Sequence, residues 1–279
     1  MRVLVTSDLH YGVSRHGDAS VRALAERVSG ERAEALVVVG DIGHDVASLR
    51  ECLELFRGFD GPRLAVPGNH DVWLTDRPTS DSWILHEEVL PEVFLGAGFH
   101  PLHIEPRVLG DVAFVGSMGW YDYSFRDDIG IPEDAYVTKI YPGHDEPLWN
   151  DARFARFPWT DEELTEKLAA RLEAQLRATA CAKRTFAIVH HLTSKRLLVH
   201  PRAIVPRVWR FANAFLGSER LGDALRGAGR PIVAICGHVH MRAEHREAGV
   251  HHLTIGGDYK CKELLTVEAD GEMTRQRFG

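Results

Sequence analysis

The sequence predicts an α/β protein built on parallel strands. Two observations carry this. Within the first 70 residues, short apolar runs alternate with stretches of helical spacing in the order strand, helix, strand, helix, strand. The run ALVVV at 35–39 is also continuously apolar rather than alternating, as in a strand buried on both faces.

The elements follow in order. RVLVTSDLH opens with a strand at Val3 to Thr6, and helical spacing runs from Ser20 to Val28. EALVVVGD is the second strand. DVASLRECLELFRGF reads as a helix with Asp45 as its N-cap, since a short acidic side chain can accept from the free N–H groups of the first turn. PRLAVPGNHD is a third strand ending in a glycine turn, and VAFVGSMGW at 112–120 is a further one. Residues 121–160 form a long irregular excursion rich in Asp, Pro and aromatics. It reads as a cap over a cleft that sets substrate choice, the other reading being a loop over an exposed core face. A helix follows in TDEELTEKLAARLEAQLRATA. Leu164, Leu168, Leu172 and Leu176 recur every four residues behind Thr160 as N-cap, which is core or cap packing. RTFAIVHH, RPIVAICGHVH, HHLTIGG and KELLTVEA supply the last strands. With no repeat and no linker, a single domain over 1–279 is expected, with an insertion or cap at about 121–180.

Composition narrows the function. The net charge of −7, from 33 basic and 40 acidic residues, does not suit a protein that coats nucleic acid or an anionic membrane. The four cysteines form no CxxC pair and read as isolated thiols in a reducing compartment. No segment reaches the roughly 20 apolar residues that span a bilayer, and MRVLVTSDLHYG lacks a signal-peptide core. A cytoplasmic location is the expectation.

The strand ends carry the chemistry. They bear Asp8 and His10 in SDLHYG, Asp41 in GDIGHD, Asn69, His70 and Asp71 in PGNHD, His190 and His191 in VHH, and His238 and His240 in GHVH. In open α/β sheets ligands bind outside the carboxyl ends of the strands. In extended chain, residues i and i+2 point the same way, so Asp8 with His10, and His238 with His240, can share a metal or serve two neighbouring ones. Carboxylates and imidazoles without thiolate suit Mn, Fe or Zn. Asn69 adds a neutral oxygen. Asp41 could simply cap a helix, but a carboxylate has two oxygens and can bridge two cations.

DLH, GD, GNHD, a histidine at a strand end and GHVH, in that order from residue 8 to 240, resemble the calcineurin-like metallophosphoesterase superfamily. The resemblance implies a four-layer sandwich of two mixed sheets flanked by helices, with a dinuclear centre of Mn, Fe or Zn ions. One metal would be held by Asp8, His10, Asp41 and His240, the other by Asp41, Asn69, His190 and His238. His70 would contact the substrate phosphate or leaving group, with Asp71 orienting it. The chain departs from the pattern at HHLTSK, where many relatives have HHP or HSP, and this leaves the role of His191 open.

The implied activity is hydrolysis of a small or medium phosphate mono- or diester by a metal-bound hydroxide, the leaving oxygen being protonated by His70. Alternatives are a nuclease of the same superfamily, against which the acidic excursion argues, and a non-catalytic scaffold, against which the complete ligand set argues. No nucleic acid or membrane partner is expected. His44 and Tyr11 lie close in sequence to ligands. The turn GGDYK could return Asp258 and Tyr259 to the metals. The other histidines read as surface or hydrogen-bonded residues. From 190 to 218 there are five basic residues and no acid, whereas 121–163 holds eleven acids against four bases. Lys195 or Arg196 is expected to bind a non-reacting anionic part of the substrate, unless the segment is only a solvated helical face.

Overall fold

In the first sheet Val3, Val5, Val37 and Val39 point to one side, Leu4, Leu36 and Val38 to the other, and both sides are buried. That is the physical content of a continuously apolar strand. The chain is described by a computed structural model over residues 1–75, 81–200, 204–268 and 271–279.

The strands are β1 (Val3–Thr6), β2 (Ala35–Val39), β3 (Arg63–Val66), β4 (Phe99–Pro101), β5 (Arg107–Leu109), β6 (Val112–Ser117), β7 (Arg184–Val189), β8 (Ile232–Cys236), β9 (Glu244–Glu247), β10 (Val250–Thr254), β11 (Lys262–Val267) and β12 (Met273–Phe278). They form two six-stranded sheets, in the orders β12-β11-β1-β2-β3-β4 and β5-β6-β7-β8-β10-β9. β1 to β4 run parallel, as do β6, β7, β8 and β10, while β11, β12, β5 and β9 pair antiparallel. The inner faces meet through Val5, Val37 and Val66 of one sheet and Phe114, Ile188 and Ile235 of the other.

Helices α1 (Arg15–Ser29), α2 (Val46–Glu54) and α3 (Leu90–Gly96) cover the outer face of the first sheet. A short helical turn, α4 (Glu133–Thr138), and a single turn, α5 (Asp151–Phe154), lie in the excursion. α6 (Asp161–Ala178) packs on the outer face of the second sheet, and after α7 (Arg207–Ala212) comes α8 (Glu219–Arg226) on that same face. The result is the four-layer α/β sandwich that the motifs imply.

Local chemistry explains the helix starts. Asp45 and Ser48 form a reciprocal capping box on α2, and Thr160 and Glu163 form one on α6, each cap contributing about 1 kcal/mol. Leu164, Leu168, Leu172 and Leu176 are all buried. α6 is therefore a regular layer element, and the irregular excursion ends before it. β12 escapes sequence reading because its charged side chains alternate on an edge strand. No helix among the described residues is long and apolar enough to cross a membrane.

Candidate metal centre

The carboxyl ends of β1, β2 and β3 meet those of β7 and β8 at one rim of the sandwich. The candidate ligands lie just beyond those ends, in a backbone conformation the sequence did not announce. Asp8 (φ 55°), His10 (43°), Asp41 (51°), His238 (71°) and His240 (56°) are all left-handed. The i and i+2 pairs therefore converge through left-handed turns rather than through strand alternation, which corrects the extended-chain reading. Such positions cost non-glycine residues about 1–2 kcal/mol. Surrounding bonds offset that cost: Asp8 N donates to Gly40 O (3.1 Å), His10 N to Asp41 O (2.9 Å), His238 N to Asp8 Oδ1 (3.0 Å) and His70 N to Asp41 Oδ1 (3.0 Å). Gly68 is required here because a Cβ on it would overlap Asp41 Oδ1.

Two groups of donor atoms result: Asp8, His10, Asp41 and His240, and Asp41, His190 and His238, the atoms of each lying within 4.8 Å of one another. In the first, His10 Nε2 lies 3.1 Å from His240 Nε2 and 3.7 Å from Asp41 Oδ2, and His240 Nε2 lies 3.3 Å from Asp8 Oδ1. In the second, His190 Nε2 lies 3.3 Å from Asp41 Oδ1 and 3.2 Å from Asn69 Oδ1, which is also 3.1 Å from His238 Nδ1. Asn69 thus joins the second group.

These residues fit cations. His190 Nδ1–H donates to Val39 O (2.8 Å), so Nε2 is the ring nitrogen turned toward Asp41 Oδ1 and Asn69 Oδ1. Asn69 Nδ2 donates to Asp151 Oδ1 (2.9 Å), so its carbonyl oxygen turns to the imidazoles. Carboxylate, amide and imidazole ligand atoms converge here, and among the described residues buried Asp8 Oδ2 and His238 Nε2 have no hydrogen-bond partner. Such a cage is satisfied by positive charge at its centre. Asp41 and His190 pull each other toward an ion pair, and a bound cation would take the place of the proton they share. Burial would raise the Asp41 carboxyl, yet the charges of His190 and His70 hold it well below the usual range. Burial would lower His190, but Asp41 lifts it to about 9. His10 is pushed down to about 3 by burial, which keeps it in the neutral ligand form.

His70 belongs to neither group. Its Nε2 lies 3.9 Å from Asp41 Oδ2, and its ring stacks on Trp73 with centroids 3.7 Å apart. Asp71 is not its orienter. Asp71 accepts from the backbone N–H groups of Ile42 (2.8 Å), Gly43 (3.2 Å) and Gly68 (2.8 Å), tying the second and third strand-end loops together. The expectation fails because a ³₁₀ turn over His70–Val72 sends adjacent side chains in different directions. His191 packs behind the ligands, with Nδ1 donating to Met118 O (3.1 Å) and its ring 4.3 Å from that of His238. His44 is exposed, and the Tyr11 hydroxyl pairs with Arg22 of α1. Tyr259 does return, stacking on His10 at 4.3 Å.

Three contributors left little trace in the sequence. Asp151 accepts from Asn69 Nδ2 and from the indole N–H groups of Trp73 (2.7 Å) and Trp149 (2.8 Å). Only its place in an aromatic-rich stretch hinted at a role. Trp73 follows His70 by three residues. Buried Lys262 donates from Nζ to the backbone oxygens of Asp8 (3.0 Å) and Asp258. The basic segment is also placed unexpectedly. Lys195 Nζ lies 3.2 Å from Asp127 and donates to Arg126 O (2.8 Å), Arg210 lies 3.2 Å from Asp127, and Arg207 donates to Ile129 O (2.7 Å). Lys195 therefore docks the acidic excursion. Arg202 lies outside the described residues.

The family model described as calcineurin-like phosphoesterase matches residues 1–242. No curated protein matches the chain. Among solved structures, a phosphopantetheinyl hydrolase from Mycobacterium tuberculosis is similar, with a TM-score of 0.74, 20% identity, and 92% of this chain and 89% of that one covered. A protein of Thermus thermophilus superposes with a TM-score of 0.57 at 12% identity, over 99% of this chain and 97% of that one. A dimetal phosphatase from Danio rerio does so with 0.53 at 16%, over 100% and 96%. At these identities the likeness is one of fold.

Proposed function

The chain belongs to the calcineurin-like phosphoesterase family, and we propose that it hydrolyses a phosphate mono- or diester at a dinuclear centre of Mn, Fe or Zn ions. The observation that carries this reading is Asp41, whose two oxygens face different ligand groups. Asp8, His10, Asp41 and His240 would hold one ion, and Asp41, Asn69, His190 and His238 the other. Two such ions supply Lewis acidity toward phosphoryl oxygens and lower the pKa of the water they bind towards about 7.

The protein groups do the rest. His70 stands beside both ligand groups with its ring fixed against Trp73, where an imidazole can give a proton or a hydrogen bond to the leaving oxygen. Asp71 holds the loops that carry Asp41 and Asn69 in register. Asp151 keeps the Asn69 amide turned so that its oxygen faces inward. The excursion acts as a cap, since Trp149 brings its ring within 5.9 Å of His238. A small or medium ester is favoured over nucleic acid, because Lys195 and Arg210, two of the cations a phosphate backbone would need, are already paired with Asp127.

The test is elemental analysis of protein purified without chelator, together with a hydrolysis screen. The screen should span model mono- and diesters, nucleotides, cyclic nucleotides and phospholipid head groups, with a phosphopantetheinyl ester added on account of the Mycobacterium protein. Two metals per chain and release of phosphate or alcohol are expected. Reproducible binding of one metal in metal-replete buffer would sink the dinuclear reading.

A further inference from the structure

Beside the second ligand group lies a cleft of about 490 Å³. Its walls are mostly apolar: Leu148 and Trp149 from the excursion, Leu198 and Val199 beyond β7, Trp209 on α7, and Met241 beyond β8. His238 is part of the same wall, so the cleft adjoins the second ligand group. Leu148, Val199 and Trp209 keep 38%, 38% and 45% of their surface exposed. Apolar side chains that converge on a concave surface next to a reactive centre mark a binding site more often than a packing defect. Two nearby cations, Lys195 and Arg210, face Asp127 instead.

We propose that this cleft seats an uncharged alkyl or aryl part of the phosphate ester whose phosphoryl group lies between the two ligand groups. The proposal rests on the phosphoesterase reading and names the substrate class within it. It differs from the sequence-based expectation that Lys195 or Arg196 binds an anionic part of the substrate, since Lys195 is paired with Asp127. Leu148 and Trp149 of the excursion line the cleft together with Leu198, Val199 and Trp209, and Asp127 ties the excursion to Lys195 and Arg210. Apolar contact there is worth about a fourfold gain in affinity for each methylene seated.

The experiment is calorimetric binding of methylphosphonate, hexylphosphonate and 3-phosphonopropionate to the Mn-loaded full chain. Their C–P bonds resist hydrolysis, so binding is read apart from turnover. Hexylphosphonate should bind at least about 30-fold more tightly than methylphosphonate. Trp209→Ser and Leu148→Ser, two partly exposed positions, should each shrink that ratio to below about fivefold. Metal content and methylphosphonate affinity should stay unchanged in both variants. Equal affinities for the methyl and hexyl compounds, a preference for phosphonopropionate, or a hexyl preference that survives both substitutions would each overturn the proposal. Hexyl preference in a protein that hydrolyses no ester would keep the cleft and remove the phosphoesterase reading. Failure of all three compounds to bind would remove both.

Discussion

The strand-end loops and the excursion use their charges in opposite ways. In the loops, carboxylate, amide and imidazole ligand atoms converge within about 3 Å of one another, and among the described residues no Lys or Arg side chain is paired with Asp8 or Asp41. In the excursion, acids meet donors: Asp127 meets Lys195 and Arg210, Glu133 meets Arg126, Glu146 meets Arg153, and Asp122 accepts from Ser218 Oγ. The first arrangement calls for a positive occupant, whereas in the second these acids already have donors. Converging ligand atoms are thus a better mark of function than charge density, since the most acidic stretch of the chain is largely structural. Asp151 is the exception. It belongs to the excursion by sequence and to the centre by contact.

Breaking the shared carboxylate should have the largest effect. Asp41→Asn is expected to empty both ligand groups together, taking bound metal from two per chain toward none and hydrolysis below detection. Loss of a single metal would show that the two groups do not depend on one bridge. His70→Ala comes next. Metal content should stay at the wild-type level while kcat falls about 10²–10⁴-fold, with a smaller loss for esters of good leaving groups. An equal loss for all leaving groups would assign His70 to phosphate binding instead.

Asp151→Asn probes the crossing point between the two regions. Chelator competition should give about a 10–100-fold weaker metal at the Asn69, His190 and His238 group, with little change at the other. A uniform loss would make Asp151 a general structural residue.

The smallest effect belongs to the excursion. Asp127→Asn should cost about 0.2–1 kcal/mol in chemical denaturation, less at high salt, since its partners are partly exposed. Burial works to raise this carboxyl, but Arg210 and Lys195 hold it below the ordinary range. A depressed carboxyl stabilises the fold above the unfolded pKa of about 3.9, and the contribution fades as pH falls through the folded value. Wild type and variant should therefore converge in stability at acid pH. A gap that persists there would mean that packing, not charge, is lost.

Much of this protein was legible from local pattern. Continuous apolar runs announced strands buried on both faces, Asp45 and Thr160 announced helix starts, and polar residues following strands announced where the site would gather. Periodicity and capping are properties of neighbours in the chain, so sequence carries them. What came only with tertiary structure depends on distant contacts. The left-handed turns at Asp8, Asp41 and His238 are held by bonds between separate loops. The Asn69 amide is turned by Asp151, 82 residues away. Trp73 rather than Asp71 supports His70, because a single ³₁₀ turn decides which neighbour faces the ring. The two segments of opposite charge, visible from composition, became partners once the fold set them side by side. Composition counts charges but does not say what each one faces, and the energy of a charge is decided by what it faces.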